Sequence, residues 1–139
     1  MKKVIIIAVL ILLTGITFGQ VLQKGTVIGI YSLTIELKPG VTMEQFIQFY
    51  SNKYMPEWNK LTGSEYQRYL VKGTRGNIFA NSYGMMSVIK SEQVWAKYFN
   101  PDGSQTEVLR SLIEKNKPLQ DELNKLGTYV YAYTLWVVQ

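Results

Sequence analysis

Two stretches near opposite ends of the chain, Val27–Leu37 and Thr128–Val138, alternate large side chains with a period of two. Tyr31, Leu33, Ile35 and Leu37 share one face of the first, and Ile28 and Ile30 make the start of its other face apolar. Tyr129, Tyr131, Tyr133 and Leu135 share one face of the second, with Val130, Ala132, Trp136 and Val138 behind them. Strands of this kind need cover on both sides, which limits the folds available.

The segments between them supply the layers. Lys38-Pro39-Gly40 breaks the first strand, and Thr42 with Gln45 forms a capping box for a helix that carries Phe46, Ile47, Tyr50 and Tyr54. Pro56 kinks or restarts that helix, which continues through Trp58 to a stop near Gly63. A hairpin follows: Glu65–Lys72, a turn at Gly73–Asn77, then Ala80–Ile89 with Tyr83, Met85 and Ser87 on one face. Ser91 caps a short helix reaching Tyr98 and Phe99, and Asn100-Pro101-Asp102-Gly103 makes a turn. A long helix spans Thr106–Leu126, its Leu109, Leu112, Leu119, Leu123 and Leu126 holding one phase across Pro118, where a kink is expected. Gly127 is expected to end it as the left-handed C′ residue. The order β-α-β-β-α-β predicts an α+β, ferredoxin-like domain: a four-stranded antiparallel sheet with helices on one face. The uncovered sheet face is expected to meet a second copy of the chain, as a homodimer.

The N-terminus reads as an address. Lys2 and Lys3 precede the apolar run Val4–Leu13, and the small residues Thr17 and Gly19 suit signal peptidase. Residues 1–19 are therefore expected to be a signal peptide and 20–139 a single domain, periplasmic or secreted. The apolar run is short for a membrane span, so no membrane association is expected after cleavage. The mature chain would carry 13 basic and 10 acidic residues, a net charge of +3. Its cations (Lys53, Lys60, Arg68, Lys72, Arg75, Lys90, Lys97, Arg110) are scattered, read as a solvated surface, and predict no nucleic-acid partner.

The chain has no histidine and no cysteine. That excludes a Ser-His-Asp triad, a Cys nucleophile, a Cys/His zinc site and His-ligated haem, so no cofactor is expected. Without disulfides, packing and oligomerisation must hold the fold. Glu36 and Glu65 are the remaining candidates for a general base, although both read more simply as solvent-facing strand residues. Asp102 reads as a turn residue, and Gly73-Thr74-Arg75-Gly76 as a hairpin turn, better than as a calcium loop or an anion cradle. The aromatic set is the most suggestive feature. Tyr31, Tyr54, Trp58, Asn81 and Tyr83 are the candidate lining of a pocket for a planar or apolar ligand between sheet and helices, although ordinary core and interface packing is the simpler reading of so many aromatics.

The stretch Leu33-Thr34-Ile35-Glu36-Leu37-Lys38-Pro39-Gly40-Val41-Thr42-Met43-Glu44-Gln45-Phe46, with the element order, resembles the dimeric α+β-barrel superfamily. That superfamily includes the antibiotic-biosynthesis monooxygenase-like, EthD-like and NIPSNAP-like domains. The resemblance implies two sheets packed face to face into a barrel, with a pocket between each sheet and its helices. Haem-degrading members use a histidine that is absent here, and no catalytic residue carries over by position. Two functions follow as expectations. One is a homodimeric binding or structural module for a small apolar or aromatic molecule. The alternative is a cofactor-free monooxygenase or isomerase acting on an activated aromatic or enolisable substrate. A protein-binding role for the open sheet face is a third.

Overall fold

The computed structural model describes residues 22–75 and 82–139. The expected signal peptide, the far side of the hairpin turn, Ala80 and Asn81 lie outside the described residues. Strand β1 (Val27–Leu37) leads through the Pro39-Gly40 turn into α1 (Met43–Phe49). Thr42 caps α1: its Oγ1 accepts from Gln45 N (3.2 Å), and Gln45 Oε1 accepts from Thr42 N (2.8 Å). The helix then widens into a π turn, Tyr50–Tyr54, and resumes as α2 (Met55–Thr62). Pro56 lies in the first turn of α2 and has no N–H for the carbonyl of Asn52, so the expected interruption takes the form of a π bulge.

A hairpin, β2 (Tyr66–Lys72) and β3 (Tyr83–Ile89), is followed by α3 (Glu92–Tyr98), α4 (Glu107–Leu126) and β4 (Gly127–Val137). Ser91 and Thr106 cap α3 and α4. The four strands form one antiparallel sheet in the order β2-β3-β1-β4, the ferredoxin-like arrangement. Helix α4 runs through Pro118 as one element.

Gly127 differs from expectation. Its φ of 176° is extended, and it is already the first residue of β4, opposite Leu37. A Cβ there would stand 2.7 Å from the carbonyl oxygen of Glu36. Glycine is used for close backbone approach, and the last turn of α4 closes through Gly127 N donating to Leu123 O.

Strand register assigns the faces. Val27, Gly29, Tyr31, Leu33 and Ile35 of β1 align with Val137, Leu135, Tyr133, Tyr131 and Tyr129 of β4, and this side faces the helices. Two core clusters lie there: Val27, Trp58, Tyr66, Ile89, Val94, Tyr98 and Leu109; and Phe46, Tyr50, Tyr54, Met55, Met85 and Leu123. The other face is uncovered. It presents Ile30, Tyr69, Val71, Val130 (68% exposed) and Trp136 (61% exposed), and among the described residues no element packs across it. Edge strand β4 is also poorly covered on the helix side, where Tyr131 and Tyr133 are each more than half exposed.

Candidate functional site

Strand alternation turns Tyr66, Arg68 and Leu70 of β2 toward the helices, opposite Ile89, Ser87 and Met85 of β3. Arg68 therefore enters the layer between sheet and helices, between the two core clusters. This corrects its reading as part of a solvated surface. Edge strand β2 is fixed in this orientation by Asn59 of α2, whose Nδ2 donates to Arg68 O (2.8 Å) while its Oδ1 accepts from Arg68 N (2.7 Å). That side chain stands in for a missing neighbouring strand, and the side chain of the preceding residue adds a further tie, Gln67 Nε2 donating to Asn59 O (3.1 Å).

The Arg68 guanidinium is partly buried against aromatic rings. Its Cζ lies 3.8 Å from the centroid of the Trp58 ring and 5.0 Å from that of Tyr66. Nε (3.0 Å) and Nη2 (2.6 Å) both donate to the Tyr66 hydroxyl. Among the described residues no carboxylate pairs with it. Burial opposes its charge, but the surrounding hydroxyls of Tyr66, Tyr54 and Tyr31 outweigh that, and its pKa is raised. The group is a partly buried cation whose surroundings are phenols and an indole.

Tyr31 closes the solvent side. Its ring stacks on Tyr133 (5.4 Å) and meets Tyr131 edge-on (5.5 Å). The ring lies back over Gly29: a Cβ on that glycine would be 2.7 Å from Tyr31 Cε2, 3.1 Å from its hydroxyl and 2.4 Å from Ser87 Oγ. Ser87 is fully buried and its Oγ has no partner of good hydrogen-bond geometry. Burial pushes the Tyr31 pKa up to about 12, Tyr66 adds to the rise, and Ser87 and Arg68 offset part of it. Tyr31 is thus a neutral hydrogen-bonding group at physiological pH. Burial also raises Tyr50 and Tyr129.

The candidate pocket residues are divided between environments. Tyr31 and Tyr83, with Ile30, Val71, Tyr133 and Trp136, line a concavity of about 630 Å³. Tyr54 and Trp58 are buried and border a cavity of about 120 Å³ beside α4, where the Tyr54 hydroxyl donates to Gln120 Oε1 (2.8 Å). Asn81 lies outside the described residues. Tyr31 and Tyr54 both lie within electrostatic reach of Arg68, whereas Tyr83 sits near the hairpin end with Lys72 Nζ over its ring (5.6 Å). The carboxylates stay outside. Glu36 is exposed, and Glu65 pairs with Lys97 (2.8 Å), whose hydrogen bond lowers its pKa and makes it a weaker base. Asp102 accepts from Ser104 N in its turn.

Arg68, Ser87 and Asn116 were accessible to pattern reasoning. Arg68 shares the period-two row of Tyr66 and Leu70, and Asn116 falls in the heptad-like row of Leu109, Leu112, Leu119 and Leu123. A polar residue in phase with an apolar row was the available signal.

No protein-family profile and no curated protein matches the sequence. Among solved structures, the chain is similar to SnoaB, a cofactor-independent oxygenase from Streptomyces nogalater. One structure of it gives 13% identity and a TM-score of 0.48, covering 83% of this chain and 94% of that one. A mutant form of SnoaB gives 14% and 0.47 over the same shares. An EthD-like protein from Ralstonia eutropha is similar at 9% identity and a TM-score of 0.44, over 83% of this chain and 93% of that one.

Proposed function

We propose that this chain is a homodimeric binding protein for a planar aromatic molecule carrying an acidic or enolic oxygen. The carrying observation is Arg68: a partly buried guanidinium between sheet and helices that spends two N–H groups on one phenol oxygen and has no counter-anion among the described residues. Burying an uncompensated charge is costly, and an incoming anion would relieve that cost. Tyr31 and Ser87 would supply further hydroxyls, and Trp58 and Tyr66 would supply ring faces. The ligand would enter by turning Tyr31 outward along the thinly covered β4 edge.

The test uses 2-naphthoate and its neutral methyl ester as probes. The acid is expected to raise the melting temperature and the ester to leave it unmoved, with the difference lost in Arg68→Gln. Equal effects of acid and ester, or full retention in Arg68→Gln, would remove Arg68 from the site. The open face of Ile30, Tyr69, Val71, Val130 and Trp136 supports the homodimer, since it exposes a large apolar area that a second sheet would cover. Light scattering should give twice the chain mass, and Trp136→Glu should give the monomer.

The enzymatic alternative uses the same residues. A cofactor-free oxygenase or isomerase needs its enolate or phenolate stabilised, which Arg68 is suited to do. The cluster has no carboxylate base, so the substrate would have to ionise readily by itself. Oxygen uptake with quinol substrates tests this reading.

A further inference from the structure

The chain enters β1 through a short strap, Leu22-Gln23-Lys24, tied to the end of the sheet. Thr26 N donates to Gln23 O (3.0 Å) across a turn in which Gly25 takes a φ of 84°. Gly25 N donates to Val138 O (2.8 Å), and Val138 N donates to Thr26 O (2.9 Å). The strap is one wall of a pocket of about 610 Å³ at the end of the open sheet face, a volume within the roughly 300–1,000 Å³ of small-molecule sites. Ser64, Gln67 and Tyr69, in and just before β2, form the opposite wall, and Val88 and Lys90 of the β3 side lie between. The lining divides by chemistry. Leu22, Val88 and the half-exposed Tyr69 ring are apolar, whereas Gln23, Lys24, Thr26, Ser64 and Lys90 carry donors. No carboxylate lines the pocket, and neither lysine has an ion-pair partner among the described residues. The adjacent Glu65, whose pKa Lys97 and to a lesser degree Lys90 lower, is held by Lys97 at 2.8 Å. Thr26 is 4% exposed and its hydroxyl has no hydrogen-bond partner among the described residues, yet unlike that of Ser87 it is not sealed from solvent. Gln67 Nε2 is spent on Asn59 O, so this side chain is wall and not donor.

We propose that this pocket binds a small phosphate monoester of an apolar alcohol, independently of the reading given for Arg68. Two lysines without counter-anions set two positive charges on one pocket, which a doubly charged ligand matches. A phosphate monoester carries about −1.5 to −2 charges at neutral pH and presents three acceptor oxygens. Lys24 and Lys90 meet it as point charges, and the Thr26 and Ser64 hydroxyls supply neutral donors. The ester group rests on Tyr69, Val88 and Leu22. A carboxylate or a sulfate ester brings only one charge to the two lysines. Inorganic phosphate leaves the apolar wall unused.

Phenyl phosphate is the probe, titrated into the purified chain by calorimetry in phosphate-free buffer at neutral pH. Phenyl sulfate, of the same shape with one charge, and inorganic phosphate, without the ring, are the comparators. Phenyl phosphate is expected to bind saturably, one per chain, in the submillimolar range. The comparators should bind about tenfold more weakly, the loss expected for one charge-assisted contact or for the apolar wall. Lys24→Gln and Lys90→Gln should each weaken phenyl phosphate to a similar degree with the melting temperature unchanged, since both side chains are exposed. Arg68→Gln should leave its binding intact. Loss of binding in Arg68→Gln with retention in both lysine variants would place the probe at Arg68 and overturn the proposal. No saturable binding, phenyl sulfate or inorganic phosphate binding as tightly as phenyl phosphate, or unchanged binding in both lysine variants would each overturn it as well.

Discussion

Gly29→Ala tests how tightly the layer holding Tyr31 and Ser87 is packed. The new methyl would stand 2.4 Å from Ser87 Oγ and 2.7 Å from Tyr31 Cε2, closer than real contacts allow. Overpacking of this kind costs about 1–3 kcal/mol. Alanine also loses less backbone entropy than glycine in a strand, which returns about 0.5–1 kcal/mol. The net loss should be about 1–2 kcal/mol, a fall of several degrees in melting temperature for a domain of this size. Ser87 is fixed in β3, so Tyr31 should yield by turning toward the solvent beside Tyr131 and Tyr133. Ser87→Ala removes the closer of the two contacts, and alone it should change stability little, because the buried hydroxyl's interaction with Tyr31 is poor in hydrogen-bond geometry. In the Gly29→Ala/Ser87→Ala double variant much of the loss should return, with a coupling of about 1 kcal/mol in a thermal or urea double-mutant cycle. Additive effects, or a Gly29→Ala variant as stable as the parent, would show that this layer is looser than its geometry indicates.

Tyr66→Phe removes the acceptor of both Arg68 side-chain hydrogen bonds and should destabilise by about 1.5–3 kcal/mol in urea unfolding, whereas Arg68→Met, which removes the charge and keeps the stem, should be close to neutral or stabilising. Stability should fall as pH rises from 10 toward 12. The unfolded chain there releases its tyrosine protons while native Tyr31, with a pKa of about 12, keeps its own; burial of Tyr50 and Tyr129 adds to the fall, and Tyr31→Phe should flatten it in pH-dependent melting. Pro118→Ala restores an N–H for the carbonyl of Glu114 and should raise the melting temperature without changing oligomeric mass.

The chain reveals its elements where local rules are strong. The capping box at Thr42 and Gln45, the Ser91 cap and the span of β1 follow from side chains acting within a few residues, and all three are present. Gly127 shows where such rules stop: a glycine after a helix suggests a left-handed cap, but the nearby backbone of Glu36 and Leu37 decides its conformation. Arg68 shows the same limit from the other side. Charge alone sends an arginine to the surface, yet its row in β2 and the grip of Asn59 on its backbone carry it inward. Both interactions involve separate elements, so their strength is visible only once α2 and β2 are docked.

The irregularities of the helical layer coincide with its unpaired polar atoms. Pro56 follows the π turn, which places Tyr50 and Tyr54 in the core, where they stack at 5.2 Å. Pro118 removes the backbone donor opposite Glu114, and Glu114 borders the same small cavity as Tyr54 and Trp58. Each proline costs helix stability, and Asn116 adds a buried amide without partners. A layer selected only for packing would replace Pro118 with a helix former and Asn116 with leucine. Trp58 carries the Arg68 guanidinium 3.8 Å above its ring and has no partner for its own Nε1–H. Trp58→Phe would keep most of the packing while deleting the N–H and shrinking the platform beneath Arg68, so the thermal shift expected with 2-naphthoate should weaken, and an unchanged shift would remove the indole from the Arg68 site.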